Sequence, residues 1–338
     1  MGEQQRLKVG ILGCGYQGGR LASAIQLSDS LVLTACMDID PQAAAQLADR
    51  VGGAVVYSFV EDLLESPEVE VVMVATPHHA LAEISIKAIQ AGKHVLAEKP
   101  IALDDVQAAR VEQALLGKAV CYMAGYSFRY LPAWQKVKEL LSQGAVGEIL
   151  AITGMFGVGA LNDDWAARPE TGGGPLLFVG SHLIDQVLWY LQDDPLAVNA
   201  NVHFRVDTQA DETSAFRIDF ARGATAQLLV TQAVSSMSYR LDIYGRQGRI
   251  HLQPCGFLDY EITVTSAALE SYRQPALLHP QTDMDPRDHM HRIQLNDFVG
   301  AIRAGQQPPI NLWDGRRVLK VMDAVFESGR SGKTVVIA

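Results

Sequence analysis

Long basic runs are absent from this chain of 338 residues, and its formal net charge is -10. A nucleic-acid partner needs clustered Lys and Arg to neutralise phosphates, so that class is excluded and the acidity reads as solubility. No apolar stretch approaches the ~18 residues that cross a bilayer, and the opening "MGEQQRLKVG" carries no apolar signal core. No membrane partner is expected. Cys14, Cys36, Cys121 and Cys255 are scattered without CxxC spacing. That excludes a disulfide framework and points to a reducing, cytoplasmic compartment. Internal repeats and low-complexity segments are also missing, so neither a solenoid nor a disordered linker is expected.

What is present is an ordinary globular balance, 48% hydrophobic and 20% charged, in a chain long enough for two domains. In the first third, near-continuous apolar runs ("LKVGILG", "LVLTACMD", "VEVVMVATP", "HVLAE", "AVCYMAGY") alternate with amphipathic helices. Such strands belong to a parallel sheet covered on both faces. From 196 to 265 the chain alternates at period two between turn signals such as "YGRQGR", the pattern of a large antiparallel sheet. Two further helices, beginning at "HRIQLNDFVG" and "DGRRVLKVMD", close the chain. The expected architecture is an α/β domain over 1–123 and an α+β domain over 124–338, whose terminal helices can pack back on the first.

"GILGCGYQGG" places Gly13, Gly15 and Gly18 in G-x-G-x-x-G spacing, with Tyr16 and Gln17 between the last two glycines. The run follows a strand and opens a helix, the context a dinucleotide site requires. Gly13 permits a tight turn, Gly15 lets backbone approach a pyrophosphate, and Gly18 allows close helix–strand packing. The helix N-terminus favours an anion. Asp38 ends the second strand, where a carboxylate accepts from a ribose diol and repels a 2′-phosphate; NAD is therefore expected ahead of NADP. Ligands of open α/β sheets lie beyond the carboxyl ends of the strands. Ala75, Thr76, Pro77 and His78 end the fourth strand, and Glu98, Lys99 and Pro100 the fifth. His78 and His79 also suit a plain helix start.

In the second half, "GGGPLLFVGSHLID" sets His182 and Asp185 on an otherwise apolar helix. They read either as a hydrogen-bonded core pair or as a working pair, with Asp185 orienting the imidazole or binding substrate. The glycines would let loop and helix N-terminus approach a ligand. "GYSFRY" places Tyr126 and Arg129 just past the last parallel strand, where pockets form at domain junctions. Trp165 and Arg168 precede the glycines. Arg168 can clamp a carboxylate, though a surface role fits it better. His289 and His291 read as a helix start, and no metal site is expected.

"GILGCGYQGG", "AGKHVLAEKP", "GYSFRY" and "GGGPLLFVGSHLID", in this order and spacing, resemble the Gfo/Idh/MocA oxidoreductases over nearly the whole chain. The resemblance implies a Rossmann domain followed by a domain on an open, mostly antiparallel sheet. It implies hydride transfer between a nicotinamide and a hydroxyl-bearing carbon of a sugar, inositol or related polyol, without a metal. It places Lys99 and His182 at the nicotinamide as the catalytic residues, and implies a homodimer or homotetramer. Relatives often carry an Asp four residues before that histidine, where this chain has Phe178. Two other activities share these motifs: a lyase or glycosidase that uses NAD for transient oxidation, and a dinucleotide-binding sensor without turnover.

Overall fold

The computed structural model describes residues 5–161 and 165–337. Its contacts group the chain into two units, Met1–Ser127 with Arg287–Arg316, and Phe128–Pro286 with Arg317–Ala338. The sequence marks a change of class at 123/124; the first unit continues to Ser127 and regains a later segment. The tie is visible at the last parallel strand, where Ala124 N donates to Ile310 O at 3.0 Å.

The first unit holds six strands: β1 (Leu7–Leu12), β2 (Leu31–Met37), β3 (Val55–Tyr57), β4 (Val71–Val74), β5 (His94–Glu98) and β6 (Tyr122–Gly125). All pair in parallel, in the order β3-β2-β1-β4-β5-β6. This is the doubly wound order, and the strand order reverses between β1 and β4. β4 is buried at every residue, as a strand covered on both faces must be. The helices α1 (Tyr16–Gln26), α2 (Pro41–Arg50), α3 (Val60–Glu65), α4 (His78–Gln90) and α5 (Asp105–Leu115) alternate with the strands. Asp40 and Asp104 cap α2 and α5 by accepting from Gln42 N and Gln107 N, satisfying donors that a helix start leaves open.

The second unit is built on nine strands. They are β7 (Ile149–Gly157), β8 (Pro195–Phe204), β9 (Asp211–Phe220), β10 (Thr225–Thr231), β11 (Ser238–Gly245), β12 (Gly248–Gly256), β13 (Asp259–Ser266), β14 (Ala276–Leu278) and β15 (Val335–Val336). The order is β14-β13-β12-β11-β7-β10-β9-β8-β15. Every pairing is antiparallel except β7 with β10. β13 alternates buried and half-buried residues throughout, the period-two signature of a sheet with one face in the core. Two helices of this unit are α6 (Pro132–Ser142) and α7 (Ser181–Leu191). The chain ends through α8 (Pro286–Ala304) and α9 (Leu312–Ser331). α8 begins five residues before the "HRIQLNDF" pattern, at Pro286, because proline's fixed φ and missing N–H suit a first helical turn.

Among the described residues, no helix is long and apolar enough to cross a membrane. All four cysteines are free thiols, three buried and Cys255 exposed.

Candidate active site

The glycine turn sits where β1 and β4 diverge. Gly13 has φ +95°, and a Cβ there would lie 2.5 Å from Ala75 O; both the backbone conformation and the close approach of β4 demand glycine. At Gly18 a Cβ would meet Gly13 O at 1.9 Å, so this position closes helix against turn. Gly15 differs: a Cβ there would meet no protein atom within 4 Å. Nothing inside the fold requires glycine at 15, which suits a position kept bare for a ligand. Gly15 is also the N-cap of α1, and no side chain caps that helix. Its free N–H groups and positive dipole end fit a pyrophosphate.

Asp38 follows β2 and is tied into the turn. Its Oδ2 accepts from Cys14 N at 2.6 Å and its Oδ1 from Asp40 N at 2.9 Å. A carboxylate has about four acceptor sites, so both oxygens retain capacity for a ribose diol. Next to the turn, Ala75 N donates to Leu12 O at 2.7 Å. The Thr76 hydroxyl is buried without a hydrogen-bond partner. His78 is buried at the start of α4, and His79 is exposed. The residues of this unit thus fit a dinucleotide: a bare turn, an uncapped helix end, and an acid positioned for ribose.

At the end of β5, Glu98 is buried and Lys99 half-buried. Burial pushes the Glu98 carboxyl up to about 7, against the pull of the Lys99 charge and the Gln17 hydrogen bond. Burial lowers the Lys99 ammonium to about 8, opposed by Glu98. The Lys99 charge is therefore sensitive to pH in the mildly alkaline range. Gln17 Nε2 donates to Glu98 Oε1 at 2.7 Å and lies 3.3 Å from His291 Nε2. Gln17, expected at the cofactor, thereby also bridges β5 to α8. His291 is buried inside α8, and burial lowers its imidazole to about 4. Tyr16 is exposed at the head of α1, and Tyr126 is fully buried.

In the second unit, the glycine-led segment is not one regular helix. Leu176–Gly180 form a π-helical turn that passes into α7 at Ser181. The i, i+4 spacing of Phe178 and His182 therefore crosses a change of helical pitch, and π turns often mark functional positions. The two rings have separate aromatic neighbours. His182 stacks on Phe128, with centroids 4.1 Å apart and planes at 12°. Phe178 lies against Trp165 at 6.0 Å. His182 is largely buried, so its imidazole is held by a flat aromatic support.

The glycines before this segment answer to the protein itself. Gly172 and Gly174 have φ +84° and +104°; a Cβ on Gly173 would lie 2.5 Å from Arg168 N, and one on Gly174 would lie 2.0 Å from Asp211 Oδ1. Backbone conformation and close packing within the protein thus already call for glycine here. Asp211, buried at the start of β9, caps the segment: its Oδ2 accepts from Leu176 N at 3.0 Å and from Ser214 Oγ at 3.2 Å. Burial pushes its carboxyl up to about 7. The folded value is raised, so this group's contribution to stability is fully present below its ordinary value and is lost as pH rises through about 7. Gly174→Ala should lower stability by ~1–3 kcal/mol from the forced backbone alone, with the Asp211 clash added. Urea unfolding checks this, and an unchanged midpoint would refute the cap.

Asp185 and Arg129, both expected at substrate, meet each other. Arg129 Nε and Nη2 donate to the two Asp185 oxygens at 2.9 and 2.6 Å. Both side chains are buried, 7% and 2% exposed, and the guanidinium also lies 5.6 Å from the Trp189 ring centre. Trp165 is half-buried and Arg168 exposed. Phe128 and Asp211 carry no sequence signal of their own. Phe128 lies inside the quoted "GYSFRY" yet shows its use only through the stack on His182.

The family profile described as "Oxidoreductase family, NAD-binding Rossmann fold" matches residues 7–126, and the GFO/IDH/MocA C-terminal domain matches 134–251. An uncharacterized oxidoreductase of Synechocystis sp. is 30% identical over 278 residues, 77% of this chain and 75% of its own. A D-xylose 1-dehydrogenase (NADP(+)) of Haloferax volcanii is 25% identical over 96% of this chain and 98% of its own. A levoglucosan dehydrogenase structure in complex with NADH and levoglucosan superposes with TM-score 0.91 at 25% identity. That match covers 99% of this chain and 100% of the other.

Proposed function

Since the chain belongs to the Gfo/Idh/MocA oxidoreductase family, we propose that it is an NAD-dependent dehydrogenase of a sugar or related polyol. The observation that carries this reading is the pairing of a complete dinucleotide cradle with a lysine lowered to about 8 at the end of β5. A nicotinamide dinucleotide held by the Gly13–Gly18 turn and Asp38 would supply the acceptor or donor of the hydride at a carbinol carbon. Lys99 stabilises negative charge on the substrate oxygen as the carbonyl forms. His182, held flat by Phe128, takes or gives the hydroxyl proton. Trp165 and Tyr126 are proposed to contact substrate. Arg129 and Asp185 act on it by positioning the helix that carries His182. The screen that tests the activity follows reduced-nicotinamide absorbance across sugars and polyols with NAD and NADP. Absence of turnover with every carbinol offered, despite dinucleotide binding, would overturn it.

Asp38 supports NAD over NADP, because a 2′-phosphate would meet its carboxylate. The Haloferax relative uses NADP(+) by its name, so the cofactor preference of this chain is a claim about Asp38 alone. NAD should bind more tightly than NADP, and Asp38→Ala should narrow the gap. Titration of both nucleotides checks this, and tighter NADP binding to the parent would refute it.

We also propose a cytosolic homo-oligomer assembled through the large sheet. Met155, Leu229 and Tyr244 lie part-exposed beside Arg217 and Gln227 on a broad sheet face; apolar surface of this kind favours cover, and two-fold pairing is the commonest assembly. Light scattering at micromolar concentration should give a dimer or tetramer; a monomer alone would refute this.

A further inference from the structure

The outer edge of the nine-stranded sheet gathers three side chains that the dehydrogenase chemistry leaves unused. Cys255 lies near the end of β12, Asp259 opens β13, and His279 follows β14. The hairpin joining β12 and β13 brings the first two together. The antiparallel pairing of Ile262 with Leu278 then delivers His279 beside the start of β13. Cys255 Sγ lies 3.3 Å from His279 Nε2, and Asp259 Oδ1 lies 2.8 Å from the same nitrogen. One ligand atom from each residue falls within 4.8 Å of the others.

From this convergence we propose that Cys255, Asp259 and His279 bind a divalent ion of the zinc class, with solvent in the fourth position.

A nucleophilic Cys–His–Asp relay is the rival reading. It needs the thiol on one ring nitrogen and the carboxylate on the other, so that a proton passes across the ring. Here both groups converge on Nε2, which has a single proton or lone pair to offer. Convergence on one point is what a shared cation requires. Thiolate, imidazole and carboxylate are zinc ligands, with bonds of about 2.0–2.3 Å. Around a tetrahedral ion such bonds set ligand atoms ~3.3–3.6 Å apart. The sulfur–nitrogen distance already fits, and the nitrogen–oxygen distance must open by about half an ångström.

The charges agree with this assignment. Asp259 supplies an anionic ligand, and a divalent cation deprotonates a coordinating thiol. Among the described residues, the ion-pair partner of Asp259 is His279, so no Lys or Arg competes with the ion. The ion would pin the short edge strand β14 to the β12–β13 hairpin.

Titration of the metal-free full chain with Co2+ and Zn2+ tests the site. Co2+ should give a near-ultraviolet thiolate charge-transfer band saturating at one ion per chain, and Zn2+ should abolish it by displacement. Cys255→Ser should remove the band. His279→Gln should weaken zinc binding by at least ~10-fold, measured against a chromophoric chelator. Zinc should also protect Cys255 from alkylation, mapped by mass spectrometry. NAD binding should be unchanged in both variants, which shows that they fold. Lack of a saturable band in the parent, or a band that persists in Cys255→Ser, would overturn the proposal.

Discussion

His182→Ala should lower turnover by ~10²–10⁴-fold, the range expected for loss of a positioned acid/base. Lys99→Ala should lower it by ~10²–10³-fold, as for one lost electrostatic donor. Both variants should keep their affinity for NAD, since the cradle at Gly13, Gly15 and Asp38 is untouched. The pH dependence separates the roles. Lys99 is held at about 8 by burial, so in the parent a limb of the rate profile should lie near pH 8. The ammonium that stabilises the oxyanion is lost above it. Lys99→Arg should move that limb out of the accessible range. Phe178→Asp should alter the profile or the preferred substrate, because it places a charge in the π turn that leads to His182. Near-parental activity of His182→Ala on the true substrate would remove the histidine from the mechanism.

Breaking the Arg129–Asp185 pair should cost stability first and catalysis second. Both groups are buried and joined by two charge-assisted bonds. Removing one partner strands the other charge away from water, at about 3–5 kcal/mol. Asp185→Ala should therefore lower the urea midpoint sharply. An Arg129→Met, Asp185→Leu double variant should recover much of the loss, since two apolar groups leave no orphaned charge. If instead Asp185→Ala keeps its midpoint and raises KM, the carboxylate belongs to substrate.

Much of this architecture is written in local pattern. Apolar runs such as "VVMV" announce a parallel sheet because strands buried on both faces have no polar side. The alternation in β13 announces the antiparallel one. The glycine turn is readable because its G-x-G-x-x-G spacing, the strand before it and the helix after it are all local in sequence. What the chain hides is side-chain pairing at long separation. Asp185 follows Arg129 by 56 residues, and Asp211 follows Leu176 by 35. No periodicity connects either pair. "GGGPLLFVGSHLID" shows the limit most clearly. Its apolar spacing reads as a uniform helix, but the segment opens on a π turn, and a Cβ on Gly180 at its end would lie 3.1 Å from Val230 of another strand. The triad of Cys255, Asp259 and His279 is hidden for the same reason, since hairpin geometry assembles it.

The return of residues 287–316 to the first unit sets a timetable for synthesis. When Ser127 leaves the ribosome, the Rossmann sheet still lacks the segment that carries His291 and Ile310. That segment follows after about 160 more residues. At translation speeds of ~5–20 residues per second, the wait is ~8–30 s. Through that interval β6 lacks the Ile310 carbonyl that accepts from Ala124. A nascent chain stalled before residue 287 should be open to proteases at β6, and one released after residue 316 should resist them.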